Sequence, residues 1–498
     1  MASLGQHIAQ TLLKGYYPVN ITSGAADIIG QGIALLEARM FAALPPSDPT
    51  AVFNIDGQKR LTLAELAAIV PPLGLDKIVK NLVPPQYPDD LPVIVDPAVF
   101  LPNLSDILTS LPKTYIQSFL IYKLISELES SVIGAGGDVA SAADGGSKNT
   151  KARSDICLEH ADAALRFVIG RFYASATYPD AARDFASKLA TSLRAQFKTR
   201  IDGLDWMSPE AKSRAKTKVD NIQQNIGYPE ANPNIRDPED VARYYQGLNI
   251  SSTDFFSNVL SAKRHVVATS FGNVLKPNDR NKMNGPLHLV NAFYNVQDNS
   301  ISILAGISQL PIFSPDLPGY AAFGSMGAIV GHEILHGFDS TGRLFDETAT
   351  LKTWWDNGTI SAFKERAQCF VDQYGVMEYP IPGGETAKTD GEATLAENIS
   401  DAGGLHIAYD AWKATQSGPG AKVDATLPGL EKFTRDQLFF MFYANTWCNN
   451  ASPEYLADNA PADNHAPDSH RIVGAAANSR GFREAFQCQV REPECELF

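Results

Sequence analysis

The segment GSMGAIVGHEILHGFD, residues 324–339, holds two histidines four positions apart, with a glutamate beside the first. If the segment is helical, His332 and His336 lie on one face and can share one ion, with Glu333 one step round the helix. The apolar residues then form a side that can anchor the helix in a core: Met326, Ile329, Val330, Ile334 and Leu335. Two imidazoles suit zinc, and a catalytic zinc site keeps three protein ligands plus a water. The segment therefore predicts a packed helix with two metal ligands; the alternative is a surface helix with two unrelated histidines.

A third ligand is expected downstream, in TLAENISDAGGLHIAYDAW, residues 394–412. Glu397 and Asp401 are again four apart, so a helix would place them on one face. Glu397 can bind the ion, and Asp401 can accept an N–H from a ligating histidine and fix its tautomer. Asp339, three residues after His336, is a candidate for the same task. The alternative is a solvated acidic face, but the neighbouring glycine pair and apolar residues favour a packed helix.

Charge and hydropathy limit the kinds of partner that the chain can bind. The formal net charge of −14 argues against nucleic acid and anionic membranes, which attract clustered Lys and Arg. A membrane-spanning helix needs about 20 consecutive apolar residues, and the apolar runs here are much shorter. The N-terminal sequence MASLGQHIAQTLLKGYY lacks the charged start, apolar middle and cleavage site of a signal peptide. Taken literally, these features predict a chain that is neither secreted nor anchored.

The cysteines point the other way. Five are present, four of them in the last third of the chain: Cys157, Cys369, Cys448, Cys488 and Cys495. They are either free, buried thiols of a cytosolic protein or part of an extracellular disulfide framework with partners missing. Asn-x-Ser/Thr sequons lean weakly toward secretion, at Asn20, Asn103, Asn249, Asn357, Asn398 and Asn450.

The chain changes character along its length. Residues 1–130 have helical periodicity broken by prolines, and a Gly-, Ala- and Ser-rich stretch at about 134–152 predicts a flexible loop. Helical patterns resume from residue 155, with Ser208 as an N-cap and Pro209 at the first helical position. Residues 225–285 are mixed and loop-rich. HLVNAFYNVQDNSISILAGI, residues 288–307, alternates apolar and polar residues and predicts two short strands, followed by the motif helix and further helices.

From residue 290 onward, six segments resemble motifs of the neprilysin and endothelin-converting-enzyme family of zinc metallopeptidases. They are VNAFYN (290–295), LAGISQLPIF (304–313), VGHEILHGFD (330–339), GEATLAENISDAGG (391–404), QLFFMFYANTWC (437–448) and HAPDSHRIVGAAANSRGFREAFQC (465–488). Weaker similarity reaches back to about residue 30, so the resemblance covers nearly the whole chain.

The resemblance implies the chemistry of the site. It makes His332, His336 and Glu397 the ligands of one zinc ion. It makes Glu333 the general base toward the zinc-bound water, and it places Asp401 beside a ligating histidine.

Further residues match family positions that contact the substrate. The resemblance implies that His465 stabilises the tetrahedral intermediate, that Arg471 binds a substrate carbonyl, and that Asn291 and Ala292 pair with the substrate backbone. Without the resemblance, His465 would be interpreted as an exposed loop histidine and Arg471 as half of a surface ion pair.

Three apolar residues match the family pocket for the hydrophobic residue that follows the cut. They are Phe313, Ile329 and Trp447. The alternative is that all three are simply core residues.

The chain departs from the family in length and cysteine pairing. Members usually carry an anchor or signal peptide and a cysteine-bearing N-terminal segment that has no counterpart here, so we expect a truncated form. The resemblance pairs Cys369 with Cys495 and leaves Cys157, Cys448 and Cys488 without their family partners.

The residue patterns predict a mainly α fold with a small β-sheet, and the resemblance implies a two-lobed gluzincin metallopeptidase with that sheet at the active-site cleft. A helical cap domain is expected at 1–230 and a zinc peptidase domain at 231–498. The expected activity is hydrolysis of small oligopeptides on the amino side of hydrophobic residues. By resemblance the protein is extracellular or at the cell surface; its oligomeric state stays open. The alternatives are a catalytically impaired truncated form that binds peptides or zinc, and a structural zinc protein with a closed four-ligand site.

Overall fold

The structure is a computed structural model. It describes residues 23–44, 59–88, 90, 93–95, 100–132, 152–417, 424–490 and 492–498. The loop predicted at about 134–152 lies, except for residue 152, outside the described residues.

The fold is mainly helical with small sheets, as the sequence predicts. The α-helices are α1 Ser23–Ala42, α2 Leu63–Ile69, α3 Leu75–Leu82, α4 Phe100–Ser110, α5 Lys113–Val132, α6 Arg153–Thr177, α7 Asp180–Gly203, α8 Pro209–Asp220, α9 Pro238–Tyr244, α10 Phe255–Gly272, α11 Gly319–Ala322, α12 Ala328–Leu335, α13 Asn357–Gly375, α14 Leu395–Thr415, α15 Arg435–Thr446, α16 Pro453–Asn459, α17 Asp468–Ala477 and α18 Arg480–Ala485. The strands are β1 Lys59–Leu61, β2 Val93–Val95, β3 Gln223–Gly227, β4 Ala292–Asn295, β5 Ser300–Leu304, β6 Glu378–Ile381 and β7 Glu385–Lys388.

Two compact units make up the chain. The first comprises residues 1–166 and 245–277, and the second comprises residues 167–244 and 278–498. Compactness of this kind does not test where functional lobes divide, so the boundary expected at residue 230 stays a prediction. In the first unit, the buried side chain of Ile33 on α1 packs with Ile29, Phe119 and Tyr122.

The second unit contains a three-stranded sheet in the order β3-β5-β4. Strand β5 runs parallel to β3 and antiparallel to β4, with Ile303 opposite Ala292. Every residue of β5 is buried, whereas β4 is largely half-buried. Within the described part of the chain, β4 is therefore an edge strand with one side left for a further strand.

Local sequence signals account for several of these elements. Ser208 caps α8 by accepting a hydrogen bond from the backbone N of Ala211, and Pro209 is the first helical residue, as predicted. Strands β4 and β5 confirm the two short strands expected in residues 288–307. The 18-residue helix α10 lies in the region that the sequence predicts to be loop-rich.

The motif segment lies in continuous helical structure. A π-helical turn, Phe323–Gly327, leads directly into α12, and all residues of both are buried. The segment is thus a packed core helix rather than a surface helix. Among the described helices, none is both long enough and apolar enough to cross a membrane.

Candidate metal centre and cleft

Helices α12 and α14 meet at two glycines, Gly331 and Gly404, whose missing side chains let the two backbones approach closely. This packing brings the first turn of α14 beside the last turn of α12. His332 on α12, His336 at its C-cap and Glu397 on α14 consequently face one another.

Three potential ligand atoms converge there. The Nε2 atoms of His332 and His336 are 2.9 Å apart. Oε2 of Glu397 lies 3.1 Å from Nε2 of His332 and 3.4 Å from Nε2 of His336. A tetrahedral ion with bonds of about 2.0–2.1 Å would separate its ligand atoms by about 3.3 Å. The spacing of the three atoms fits such an ion.

The outer nitrogens of both histidines contact carboxylates. Nδ1 of His332 lies 2.8 Å from Oδ1 of Asp401, and Nδ1 of His336 lies 2.7 Å from Oδ2 of Asp339. An imidazole that donates from Nδ1 to a carboxylate turns the lone pair of Nε2 toward the centre. The two lone pairs and the oxygen of Glu397 are then three acceptors that face one another, and none of the three atoms is a donor. A bound cation would satisfy all three.

The pKa values of His336 and Glu397 also indicate that positive charge is favoured at this centre. Burial lowers the pKa of His336, but the carboxylates of Glu397 and Asp339 outweigh burial and raise it well above its usual value. Burial raises the pKa of Glu397, but the two histidines outweigh it and hold the pKa well below its usual range.

Arg471 is tied to Asp401 behind this centre. Its Nε donates to Oδ2 and its Nη2 to Oδ1 of Asp401, at 2.7 and 2.8 Å, a bidentate pair. The guanidinium also stacks over the ring of Trp447, 3.7 Å from the centroid. Burial raises the pKa of Asp401, but Arg471 and His332 lower it to about 2. Arg471 is thus a buried ion-pair partner, not half of a surface pair.

A cleft of about 620 Å³ opens onto the centre. Glu333 lines it beside the two histidines and is buried, and burial raises the pKa of its carboxyl. A carboxyl with a raised pKa is a stronger base once it is ionised.

His465 reaches into the cleft from the loop before α17. Its Nε2 lies 3.2 Å from Oε2 of Glu397, and its Nδ1 lies 2.7 Å from Oδ1 of Asp463. Burial lowers the pKa of His465, but the bond to Glu397 and its charge outweigh burial and raise it. The neighbouring Asn464 donates from Nδ2 to Oε1 of Glu397, at 2.8 Å.

The remaining predicted site residues divide into two groups. Asn291, Ala292, Ile329 and Trp447 line the cleft. Phe313 is not among the described lining residues; its buried ring packs against Phe185, with 5.4 Å between centroids. Phe313 therefore lies in the core in this structure.

Two residues that the sequence does not single out contact this centre or the loop beside it. Asn464 holds the second oxygen of Glu397, and Lys218 is fully buried against the loop that carries Asp339. A neighbour of His465 could have been suspected, but no sequence pattern connects Lys218 to residues more than 100 positions away.

The Cys369–Cys495 disulfide implied by the resemblance is present, and it joins α13 to the C-terminal segment. Cys157, Cys448 and Cys488 carry free thiols.

Known proteins are similar to this chain in sequence. Two models described as peptidase family M13 match residues 2–229 and 291–495. Bovine endothelin-converting enzyme 1 is 29% identical over 88% of this chain and 58% of its own length. Mouse membrane metallo-endopeptidase-like 1 is 32% identical over 84% of this chain and 54% of its own length. The chain thus spans less than two thirds of the length of these relatives.

Solved structures share the fold. The zinc metalloprotease Zmp1 of Mycobacterium tuberculosis, in complex with an inhibitor, superposes with a TM-score of 0.82 at 24% identity, covering 100% of this chain and 73% of Zmp1. PepO from Lactobacillus rhamnosis superposes with a TM-score of 0.81 at 23% identity, covering 99% of this chain and 73% of PepO.

Proposed function

The chain belongs to peptidase family M13, and we propose that it is a zinc-dependent endopeptidase that hydrolyses small peptides on the amino side of hydrophobic residues. The observation that carries the proposal is the convergence of His332, His336 and Glu397 beside Glu333 at the floor of the cleft. A structural zinc site would require a fourth ligand, and within the described residues the cluster that could hold a metal has three.

Zinc fits the donor set of two imidazoles and one carboxylate. When bound there, zinc supplies a Lewis acid that polarises the scissile carbonyl and lowers the pKa of a water. Asp401 and Asp339 hold the two imidazoles in the tautomer that presents Nε2.

Glu333 is the general base in this proposal. Its carboxylate takes the proton of the attacking water and passes it to the leaving amine, so one group serves both proton transfers. The raised pKa of Glu333 supports this role, because the carboxylate then accepts a proton more readily near neutral pH.

His465 and Arg471 provide positive or donating groups for the developing oxyanion. Arg471 is protonated near neutral pH in any case, and the raised pKa of His465 favours its protonated form. Donors preorganised in a water-poor cleft stabilise charge that develops in the transition state. Arg471 has a second task, because its bidentate bond to Asp401 fixes the partner of His332.

Substrate recognition is assigned to β4 and to the apolar wall. The free side of β4, which starts at Ala292, and the preceding Asn291 can bond the main chain of an extended peptide. Ile329 and Trp447 provide apolar surface for the side chain after the cut. A cleft of about 620 Å³ admits a few residues of such a peptide.

We place the protein outside the cell or at its surface. The Cys369–Cys495 disulfide supports this location, because disulfides persist in oxidising compartments.

The test is hydrolysis of a quenched peptide with Phe or Leu after the intended cut, using the purified chain loaded with zinc. We expect cleavage that a chelator abolishes and zinc restores. Glu333→Gln should lose about 1000-fold or more in kcat while holding one zinc per chain. Glu365→Gln, an exposed residue of α13, is the matched control and should cleave normally.

A folded chain that holds one zinc but cleaves no peptide would contradict the proposal. It would favour the alternative of a catalytically impaired form that binds peptides or zinc. Retained cleavage in Glu333→Gln would instead remove Glu333 from the role of base.

A further inference from the structure

Lys218 is one of two charged residues with 0% exposure among those described; the other is Asp346. It lies near the end of α8, whose other lysines, Lys212 and Lys216, are partly exposed. Lysine is almost never fully buried unless it is paired. Every acceptor that Lys218 contacts lies in one loop, residues 337–345, directly after the motif helix.

Three backbone carbonyls accept hydrogen bonds from its Nζ. The oxygens of Gly337, Gly342 and Phe345 each lie 2.7 Å away. An ammonium has three N–H groups and no lone pair, so it satisfies all three carbonyls. A neutral amine has only two N–H groups and would turn a lone pair toward the third oxygen.

Some interactions favour the positive charge of Lys218 and burial opposes it. Burial lowers its pKa to about 7, and the carboxylates of Asp339, Asp346 and Glu347 act in the opposite direction. The three carbonyl dipoles also favour the ammonium. The charge therefore complements a loop that is otherwise rich in acceptors.

The same loop carries Asp339, the partner of His336. Oδ2 of Asp339 lies 2.7 Å from Nδ1 of His336. Oδ1 accepts hydrogen bonds from the backbone N of Thr341 and of Gly342, at 2.8 and 2.6 Å. The carboxylate thus bonds the N–H groups of the turn from one side while Lys218 bonds its carbonyls from the other.

We propose that Lys218 is a positioning residue for the candidate metal centre: its ammonium holds loop 337–345 in the conformation that presents Asp339 to Nδ1 of His336. This inference rests on the proposed function, because it concerns how the same centre is built. It assigns a residue on a separate helix, far away in sequence, to the orientation of a ligand.

Two hydrogen bonds also connect the backbone of Lys218 with the cleft. Its carbonyl accepts from Nδ2 of Asn299, at 3.1 Å, and Oδ1 of Asn299 accepts from the hydroxyl of Tyr294, at 2.8 Å. Tyr294 belongs to the edge strand β4 and lines the cleft. Lys218 therefore connects the loop after the motif helix with the strand proposed to bind the substrate.

The experiment compares zinc dissociation constants, obtained by chelator competition, for the wild-type chain, Lys218→Met and Lys216→Met. Lys218→Met keeps an unbranched side chain, one atom shorter than lysine, and removes all three donors. We expect its zinc affinity to fall roughly 10-fold, as for other outer partners of metal ligands. Lys216→Met changes a lysine on the same helix as Lys218, removes its surface pair with Asp202 of α7, and should leave the affinity unchanged.

A double-variant cycle separates positioning from general destabilisation. If Lys218 acts through Asp339, Lys218→Met combined with Asp339→Asn should weaken zinc binding no more than the stronger single variant. Additive losses, or wild-type affinity in a folded Lys218→Met, would overturn the inference. A wild-type chain that binds no zinc would overturn the proposed function first.

If Lys218→Met does not fold, a measurement on the wild-type chain tests the inference instead. Amide hydrogen exchange at Thr341 and Gly342 should be slow in the metal-free protein, because Lys218 builds the loop without zinc. If these amides instead exchange at the unprotected rate in the metal-free protein and become slow only after zinc is added, the inference is overturned. This holds even if the zinc-loaded chain cleaves peptides.

Discussion

Gly331 and Gly404 lie so close together that neither position accommodates a side chain. A Cβ at Gly331 would lie 2.6 Å from the carbonyl oxygen of Gly404, and a Cβ at Gly404 would lie 2.4 Å from the backbone N of His332. Helices α12 and α14 therefore pack backbone to backbone, and this approach is what brings Glu397 to the histidines.

The first prediction is that Gly404→Ala weakens zinc binding and the fold together. Alanine favours a helix by about 1 kcal/mol over glycine, but overpacking here costs about 1–3 kcal/mol and must push the helices apart. We expect a net loss of about 1 kcal/mol in unfolding free energy and a weaker zinc affinity by chelator competition.

Gly203→Ala, at the end of α7, provides the matched control, since a Cβ there meets no atom within 4 Å. It should lose no stability and keep the wild-type zinc affinity. If Gly404→Ala behaved like this control, the close approach would not be what sets the position of Glu397.

The second prediction concerns the pH dependence of the Asp401–Arg471 pair in the metal-free protein. The pKa of Asp401 falls from 3.8 to about 2 on folding, so the folded state holds this proton less tightly than the unfolded state. The pair then stabilises the fold above about pH 4, and this contribution is lost as the pH falls toward 2. The difference corresponds to roughly 2 kcal/mol.

Urea unfolding of the wild-type chain and Asp401→Asn between pH 6 and pH 2 measures this contribution. The stability gap between the two should narrow as the pH falls, because protonated Asp401 resembles asparagine. Asp202→Asn, which removes an exposed partner of Lys216, should leave no comparable gap. A gap that stays constant down to pH 2 would contradict the assignment.

Sequence periodicity could predict the elements that carry the ligands. The four-residue spacing of His332 and His336 predicted a shared face, and the apolar residues around it predicted a core helix; both are found. Alternation in residues 288–307 predicted β4 and β5. Such patterns work because they depend on neighbours within one or two turns.

Two elements, α10 and the β6–β7 hairpin, were not predicted from the sequence. Helix α10 contains β-branched residues, serine and asparagine, which are weak helix formers, yet Asp254 caps it. The hairpin of β6 and β7 turns at Gly383 and Gly384, both with positive φ, a signal that was available in the sequence.

Long-range contacts lay beyond the reach of the sequence. The bond from Lys218 to Gly337 spans 119 residues, and the bond from Asn464 to Glu397 spans 67. Such pairs form only when the whole unit folds, so no spacing rule identifies them. The same holds for Arg471, whose buried contact with Asp401 the sequence alone could not distinguish from a surface pair.

The third prediction is that the Cys369–Cys495 disulfide contributes strongly to stability. It links residues 126 positions apart, and a loop of this length corresponds to about 5 kcal/mol in the chain-entropy estimate. It also fastens the segment that ends at Phe498, whose buried ring packs against Phe197 and Phe338.

Thermal and urea unfolding of the Cys369→Ala/Cys495→Ala double variant should show a loss of about 3–5 kcal/mol. Cys448→Ala, which removes an exposed free thiol, should change little. Equal stability of the double variant and the control would mean that packing of Phe498 holds the segment without the bridge.

The fourth prediction separates transition-state stabilisation from metal binding. His465→Ala should lower kcat about 100-fold, the cost of removing one donor to an oxyanion. Zinc affinity should change little, because the imidazole is not one of the three clustered ligands and Asn464 still holds Oε1 of Glu397. Steady-state kinetics together with chelator competition test both parts, and a large loss of zinc affinity at unchanged kcat would assign His465 to the metal centre instead.

The last prediction concerns Asn464, whose amide donates to Oε1 of Glu397 and leaves Oε2 facing the two histidines. Without this donor, the carboxylate can rotate, so its productive orientation is no longer preset. Asn464→Leu should therefore weaken zinc binding roughly 10-fold, whereas Asn464→Gln, which keeps an amide, should lose less. Asn449→Leu, another cleft-lining asparagine, removes a bond to Asp468 and should leave the zinc dissociation constant unchanged. If Asn464→Leu bound zinc as the wild-type chain does, the orientation of Glu397 would have to come from the packing of α14 alone.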